Sequence, residues 1–131
     1  MKKIFTNGCF DVLHRGHLEL FDHAKSLGDI LIVGVDSDAK VKLDKGKSRP
    51  YNKLEDRVKM LKSLRSIDKV YSFDNTIGLE MLIKKILPDI MVIGSDWRGK
   101  TVVGQEHSKE LRFFERIDGY STTNTLKYLN T

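Results

Sequence analysis

Cysteine is nearly absent. Cys9 is the single thiol in 131 residues, which excludes an internal disulfide framework, and the opening MKKIFTNG carries no apolar signal core. A cytoplasmic location is the expectation. No apolar run approaches the ~20 residues that a bilayer span requires, so no membrane association is expected. Proline occurs only twice and no segment is low in complexity, which argues against a disordered or fibrous chain. Charge of one sign is never concentrated: 23 Lys and Arg stand against 18 Asp and Glu, a formal +5, yet no block of five like charges appears. A nucleic-acid arm and a polybasic membrane anchor are therefore not expected, whereas phosphorylated small molecules fit a scattered basic surface. The length allows one domain, residues 1–131, with one sizeable core.

What the chain does contain is alternation. Lys2 to Thr6 reads as a strand ending at Asn7-Gly8, a pair suited to a turn. Leu18, Phe21, Ala24 and Leu27 form an apolar stripe over a helix at roughly 17–27, with Gly28 as its stop. Ile30 to Val35 is a nearly continuous β-branched run, the pattern of a strand covered on both faces. A short helical turn follows Ser37, and LDKGKSRPYN then reads as a long exposed loop, a type of segment that often carries function. Helices are marked by Val58, Leu61 and Leu64 and by Leu79, Leu82, Ile83 and Ile86. Strands are marked at Val70–Phe73, Ile90–Ile93 and, more weakly, Leu111–Phe114. Ser121 onward could cap a closing helix. The sum is an α/β, Rossmann-like, doubly wound sheet of five parallel strands, with ligands expected at the carboxyl ends of the strands.

The sharpest local feature is Gly8-Cys-Phe-Asp-Val-Leu-His14-Arg-Gly-His17, which lies between the first strand and the first helix. Two histidines three residues apart at a helix start can donate to phosphate oxygens, and Gly16 lets an anion approach the backbone. The same residue types admit other readings: one histidine capping the helix while the other packs, or a zinc site of His14, His17, Cys9 and Asp11.

This run resembles the HxGH signature of the nucleotidyltransferase superfamily that includes the cytidylyltransferases. A second segment, Arg116-Ile-Asp-Gly-Tyr-Ser121-Thr122-Thr123, is similar to the RTEGISTT segment of glycerol-3-phosphate cytidylyltransferases. TNGCFDVLHRGH, SDAKVKLDKGKSRPYNKLEDR and ILPDIMVIG look most like heptose-1-phosphate adenylyltransferases. Arg65 and Asp68 in LRSIDKV, together with SDWRGK and Arg116, look more like the glycerol-phosphate enzymes and weigh the reading toward CTP and a small polyol phosphate. ATP with a heptose 1-phosphate-like sugar is the alternative, and a non-catalytic nucleotide-binding module is the rival of another class.

The resemblance implies that His14, His17, Lys45 and Arg116 serve catalysis and that pyrophosphate is released without a covalent enzyme intermediate. It places Gly8, Cys9, Phe10, Gly16, Arg65, Asp96, Trp97, Ser121 and Thr122 against the nucleotide, and Asp11 and Lys47 against the acceptor. Mg²⁺ would arrive with the triphosphate, because no dense carboxylate cluster suggests a protein-built metal site. A homodimer is a further implication. The residues alone also allow blander roles. Lys45 and Lys47 could be solvated, Arg49 and Arg57 could form surface ion pairs, and Arg65 could pair with Asp68. Trp97 could be packing, Asp11 could fix its loop through backbone hydrogen bonds, and Cys9 reads as a small buried residue rather than a nucleophile.

Overall fold

A computed structural model describes residues 1–115. The expected closing helix after Ser121 lies outside them. In chain order the elements are β1 (Lys3–Gly8), α1 (Arg15–Ser26), β2 (Ile30–Asp36), α2 (Asp38–Lys45), α3 (Leu54–Lys62), β3 (Lys69–Phe73), α4 (Thr76–Ile86), β4 (Ile90–Gly94) and β5 (Glu110–Phe114). Two short 3₁₀ turns, Ser95–Trp97 and Gln105–His107, interrupt the connection between β4 and β5.

All five strands run parallel in the order β3-β2-β1-β4-β5. The side chains of a strand alternate between faces, and here both faces are covered. Ile4, Leu31, Val33, Val35, Ile90 and Val92 bury one face in a core shared with Phe21, Ala24 and Leu61. Phe5, Ile32, Met91 and Ile93 bury the other in a core shared with Leu79 and Ile83 of α4. This explains why β2 and β4 read as unbroken apolar runs. Each fully buried Leu, Ile or Phe contributes roughly 1.5–3 kcal/mol over its exposed state, so this two-sided burial is what closes the sheet.

The element boundaries differ from the sequence reading at three places. β1 continues through Asn7-Gly8, and the turn with positive φ falls at Phe10 (48°) instead. α1 ends at Leu27 in ordinary right-handed geometry, with Leu27 and Gly28 donating to the carbonyls of Ala24 and Lys25, so no left-handed glycine stop is used. α2 extends to Lys45 and takes in Leu43, Asp44 and Lys45, the first three residues of the stretch read as loop. It buries only Val41, which leaves no apolar period to recognise, and Ser37 caps it by accepting from the Lys40 N–H.

The strand order reverses between β1 and β4. The loops leaving their carboxyl ends, 9–14 and 95–109, therefore flank the switch point at which open parallel sheets take ligands. Among the described residues, no helix is long and apolar enough to cross a membrane.

Candidate active site

Phe10 sets the geometry of the first loop. Its left-handed backbone folds the ring back over Gly8, where a Cβ would come within 3.0 Å of the ring tip. The ring then meets Phe21 edge-on at 5.0 Å and His17 at 5.6 Å. Glycine at position 8 thus serves close approach, and Phe10 acts as a prop for His17 from below.

The two histidines of HxGH form a reciprocal cap on α1. His14 Nδ1 accepts the Gly16 N–H at 3.0 Å, and His17 Nδ1 accepts the His14 N–H at 3.1 Å. The rings stack at 3.8 Å and 27°. A ring that accepts at Nδ1 carries its hydrogen on Nε2, so the cap dictates the tautomer and makes Nε2 the donor of both imidazoles. Capping and ligand recognition, set against each other in the sequence reading, are compatible here because they use opposite ring nitrogens. The Gly16 N–H is committed to the cap, so what Gly16 offers an approaching anion is its missing side chain.

The aspartate of the loop has a structural task. The Asp11 carboxylate accepts the N–H groups of Tyr51 and Asn52 at 2.6 and 2.7 Å and Arg49 Nε at 3.3 Å, while its own carbonyl accepts from Asn52 Nδ2. This is the loop-fixing role considered for it, and it ties the HxGH loop to the segment that follows α2. Arg49 pairs with Asp11 in a largely buried position rather than at the surface. Among the described residues, His14, His17, Cys9 and Asp11 do not form a group with metal-ligand spacing. The zinc alternative is thereby set aside.

Sequence reasoning missed Arg57. It is fully buried, not a surface ion pair with Glu55 or Asp56. Its guanidinium donates to the carbonyls of Cys9, Asp36 and Asn52 and to Asp38 Oδ1, at 2.7–3.0 Å. The signal was present, since Leu54, Arg57 and Leu61 share one face of α3 by their spacing of three and four. One arginine thus joins the ends of β1 and β2, the start of α2 and the 46–53 loop.

Lys45 ends α2 and Lys47 sits on the following loop, both exposed. Lys45 is close enough to Cys9 and Asp36 for its charge to act on both. Burial pushes the Cys9 thiol up, with Arg57 offsetting part of the effect, so Cys9 stays protonated and is no nucleophile. Ser95–Trp97 turns directly off the end of β4. Trp97 is about half exposed (48%), with the Lys100 ammonium 5.7 Å from its ring centre, and it is not buried packing. Asp96 is exposed beside it.

Two expectations separate from this group. Arg65 and Asp68 lie between α3 and β3, at the amino-terminal edge of the sheet, opposite the HxGH loop. Asp68 pairs with Lys25 at 2.6 Å and accepts the Leu31 N–H, instead of pairing with Arg65. Parallel topology is the reason: a connection that leaves a helix to start a strand ends on the far edge. Arg116, Ser121 and Thr122 lie outside the described residues.

Asp36, at the end of β2, has a testable electrostatic consequence. Burial pushes its carboxyl above the ordinary range, and the Lys40 ammonium at 3.9 Å offsets this only in part. The folded chain then holds this proton more tightly than the unfolded chain. The group weighs nothing against folding below the unfolded pKa of about 4, and stability falls as pH rises through the folded value. Asp36→Asn is expected to raise the melting temperature at pH 7 and to leave it unchanged below about pH 4. Thermal melts of both proteins at the two pH values check this.

Comparison with known proteins follows the same lines. Residues 5–128 match the cytidylyltransferase-like family. The Bifunctional protein HldE of Aliarcobacter butzleri (strain RM4018) is 49% identical over 126 residues, 96% of this chain and 26% of that protein. Its counterpart in a Nitratiruptor species is 51% identical over 120 residues, 92% of this chain and 26% of that protein. The chain thus spans about a quarter of the length of these relatives. Among solved structures, the lipopolysaccharide core biosynthesis protein from Thermoplasma volcanium GSS1 superposes with a TM-score of 0.70 at 22% identity, covering 90% of this chain and 99% of that one. A protein with unknown function from Archaeoglobus fulgidus gives 0.67 at 17%, covering 92% and 94%. These two structures share the fold.

Proposed function

The chain belongs to the cytidylyltransferase-like family of nucleotidyltransferases, and we propose that it transfers the adenylyl group of ATP to a heptose 1-phosphate-like sugar phosphate, releasing pyrophosphate. The observation that carries nucleotidyl transfer is the reciprocal histidine cap, which commits Nδ1 of both rings to the start of α1 and leaves the ring hydrogen on Nε2, at the loop leaving the carboxyl end of β1. The choice of ATP and a sugar phosphate is supported by the relatives named HldE and by the resemblance of residues 6–17 and 37–57 to heptose-1-phosphate adenylyltransferases. The opposing argument for CTP weakens, since Arg65 and Asp68, two of the residues behind it, sit at the far edge of the sheet.

In this reaction an oxygen of the sugar phosphate attacks the α-phosphorus, the bond from that phosphorus to the bridging oxygen breaks, and pyrophosphate leaves with the electron pair. The attacking oxygen is already ionised near pH 7, so no strong base is needed and positioning with charge stabilisation dominates. His14 and His17 donate from Nε2 to the oxygens of the transferring group, whose charge is redistributed as the bonds change. Lys45 and Lys47, exposed at the end of α2 and on the loop after it, neutralise the triphosphate and the acceptor phosphate. Trp97 and Asp96 offer a half-exposed ring and a carboxylate at the end of β4 for the base or ribose. Mg²⁺ would be held by the phosphate oxygens, since the nearby Asp11 carboxylate is fully engaged by Arg49, Tyr51 and Asn52.

A second reading retains one specific support. Trp97, Gly99 and Lys100 of SDWRGK, which resembles the glycerol-phosphate enzymes, stand exposed beside the switch point. The assay separates the two. Pyrophosphate release is measured with ATP, CTP, GTP and UTP, each against heptose 1-phosphate and glycerol 3-phosphate. ATP with heptose 1-phosphate is expected to turn over fastest by at least about tenfold, the scale of a difference of ~1.4 kcal/mol. Faster release from CTP with glycerol 3-phosphate overturns the substrate assignment. Nucleotide binding with no release from any pair overturns transfer itself.

A further inference from the structure

Outside the candidate active site, the connection between β4 and β5 is pinned to α4 in an unusually close way. Gly104, at φ 79°, lies against Ile83 so tightly that a Cβ there would come within 2.6 Å of Ile83 Cδ1. Val102 is buried in the core beside it, and the Gln105 side chain accepts the Val102 N–H. This contact lays the Gln105–His107 turn on the second turn of α4, where Glu80 stands. Three side chains separated by 26 residues of chain thereby converge: His107 Nε2 lies 3.4 Å from Glu106 Oε1 and 3.7 Å from Glu80 Oε1.

The imidazole nitrogen is the informative atom. His107 Nε2 is shielded from solvent, yet it makes no hydrogen bond, although two carboxylate oxygens crowd it. A buried, unsatisfied nitrogen costs roughly a hydrogen bond or more and calls for an explanation. The separations offer one. Tetrahedral ligands at 2.0–2.1 Å from a zinc ion lie about 3.3 Å from each other, and the imidazole and carboxylate oxygens stand at nearly that spacing, within 4.8 Å as a set. One imidazole with two carboxylates is also a donor set suited to a borderline divalent ion rather than to the all-oxygen shells of Mg²⁺ or Ca²⁺.

We propose that Glu80, Glu106 and His107 form a site for a divalent transition-metal ion of the zinc type, which fastens the β4–β5 connection to α4 and leaves one coordination position for water. The site is separate from the HxGH loop and does not depend on which substrate the active site takes. Sequence spacing concealed it, because Glu80 and His107 come from different elements.

The test uses the untagged chain after passage over a chelating resin, titrated with Zn²⁺ by calorimetry and with Co²⁺ by visible absorption. The expected result is one tight equivalent per chain and a rise in melting temperature on adding Zn²⁺. Glu80→Gln and His107→Ala should each weaken binding at least tenfold and remove the rise, with circular dichroism confirming that both variants fold. Absence of binding by the parent chain overturns the proposal. So does binding that both variants retain but that His14→Asn abolishes, since the metal would then sit at the other histidine pair.

Discussion

Replacing His14 by Asn and His17 by Gln together is expected to lower the rate of pyrophosphate release by at least a factor of about 10²–10³, the cost of removing a donor from developing charge, while the chain stays folded. The pair is chosen for what it preserves. Asn is among the best N-cap residues, and its side-chain oxygen can accept the Gly16 N–H that His14 Nδ1 accepts now. Gln three residues later is the usual partner in a capping box and can take the His14 backbone N–H from His17 Nδ1. The variant therefore keeps both cap hydrogen bonds and loses both Nε2–H donors. His17→Ala, by contrast, removes a cap bond worth about 1 kcal/mol along with the imidazole, and confounds the two roles. Single-turnover rates, nucleotide affinity and thermal melts are the measurements. A rate near that of the parent, with melting unchanged, would show that the imidazoles serve only the helix. A large drop in melting temperature would show that the amide side chains do not rebuild the cap.

Much of this architecture is legible in the sequence, and for identifiable reasons. Strands covered on both faces have no alternation to disguise them, so Ile30–Val35 and Ile90–Ile93 stood out as apolar runs and proved to be β2 and β4. α1 and α4 each bury one stripe, and the three- and four-residue spacing showed it. α2 was legible only as a single turn, because Val41 is its one buried residue and the helix rests on the Ser37 cap more than on packing. The true length of β1 was hidden by Asn7-Gly8, whose turn propensity yields to pairing with Gly34 and Val35 of β2, with the left-handed turn passed to Phe10.

The site was legible in its motif and less so in its supports. His14 and His17 follow from the residue pattern, but their mutual cap depends on ring orientation, which spacing does not encode. Asp11 could be assigned a loop-fixing role without revealing which loop, since its partners lie some 40 residues further on. Arg65 and Asp68 were drawn into the nucleotide group by resemblance, and parallel topology removes them. For Arg57, the arginine that does connect the site, a surface ion pair stays an open reading in the sequence, because charge is a poor guide to burial when every donor finds an acceptor.

Arg57→Met is expected to destabilise the fold by about 3–5 kcal/mol, the range for breaking a buried ionic and hydrogen-bonded group. For a domain of this size that corresponds to a fall in melting temperature on the order of 10–15 °C. Methionine keeps much of the volume, so the loss measures hydrogen bonds rather than a cavity. Three backbone carbonyls, those of Cys9, Asp36 and Asn52, lose a donor at once, and Asp38 loses its cation. Asp38 is partly exposed and also accepts the Leu54 N–H, so water can serve it. The Asp36 carbonyl is buried with its donor and carries most of the cost. Arg57→Lys keeps the charge but offers one compact ammonium where a planar fork now reaches four acceptors, so it should recover only a minor part of the stability. Urea and thermal unfolding of the two variants measure this. A loss below about 1 kcal/mol in Arg57→Met, the net worth of one ordinary hydrogen bond, would mean that water replaces the guanidinium at all three carbonyls. The need for arginine at this point follows from the fold: where strand ends of a parallel sheet give way to irregular loops, their carbonyls lack ladder partners, and a donor with several N–H groups on a neighbouring helix can satisfy them together. The same bonds hold the HxGH loop against the lysine-bearing segment, so the device that stabilises the loops also fixes the β1 side of the site at which the reaction is proposed to occur.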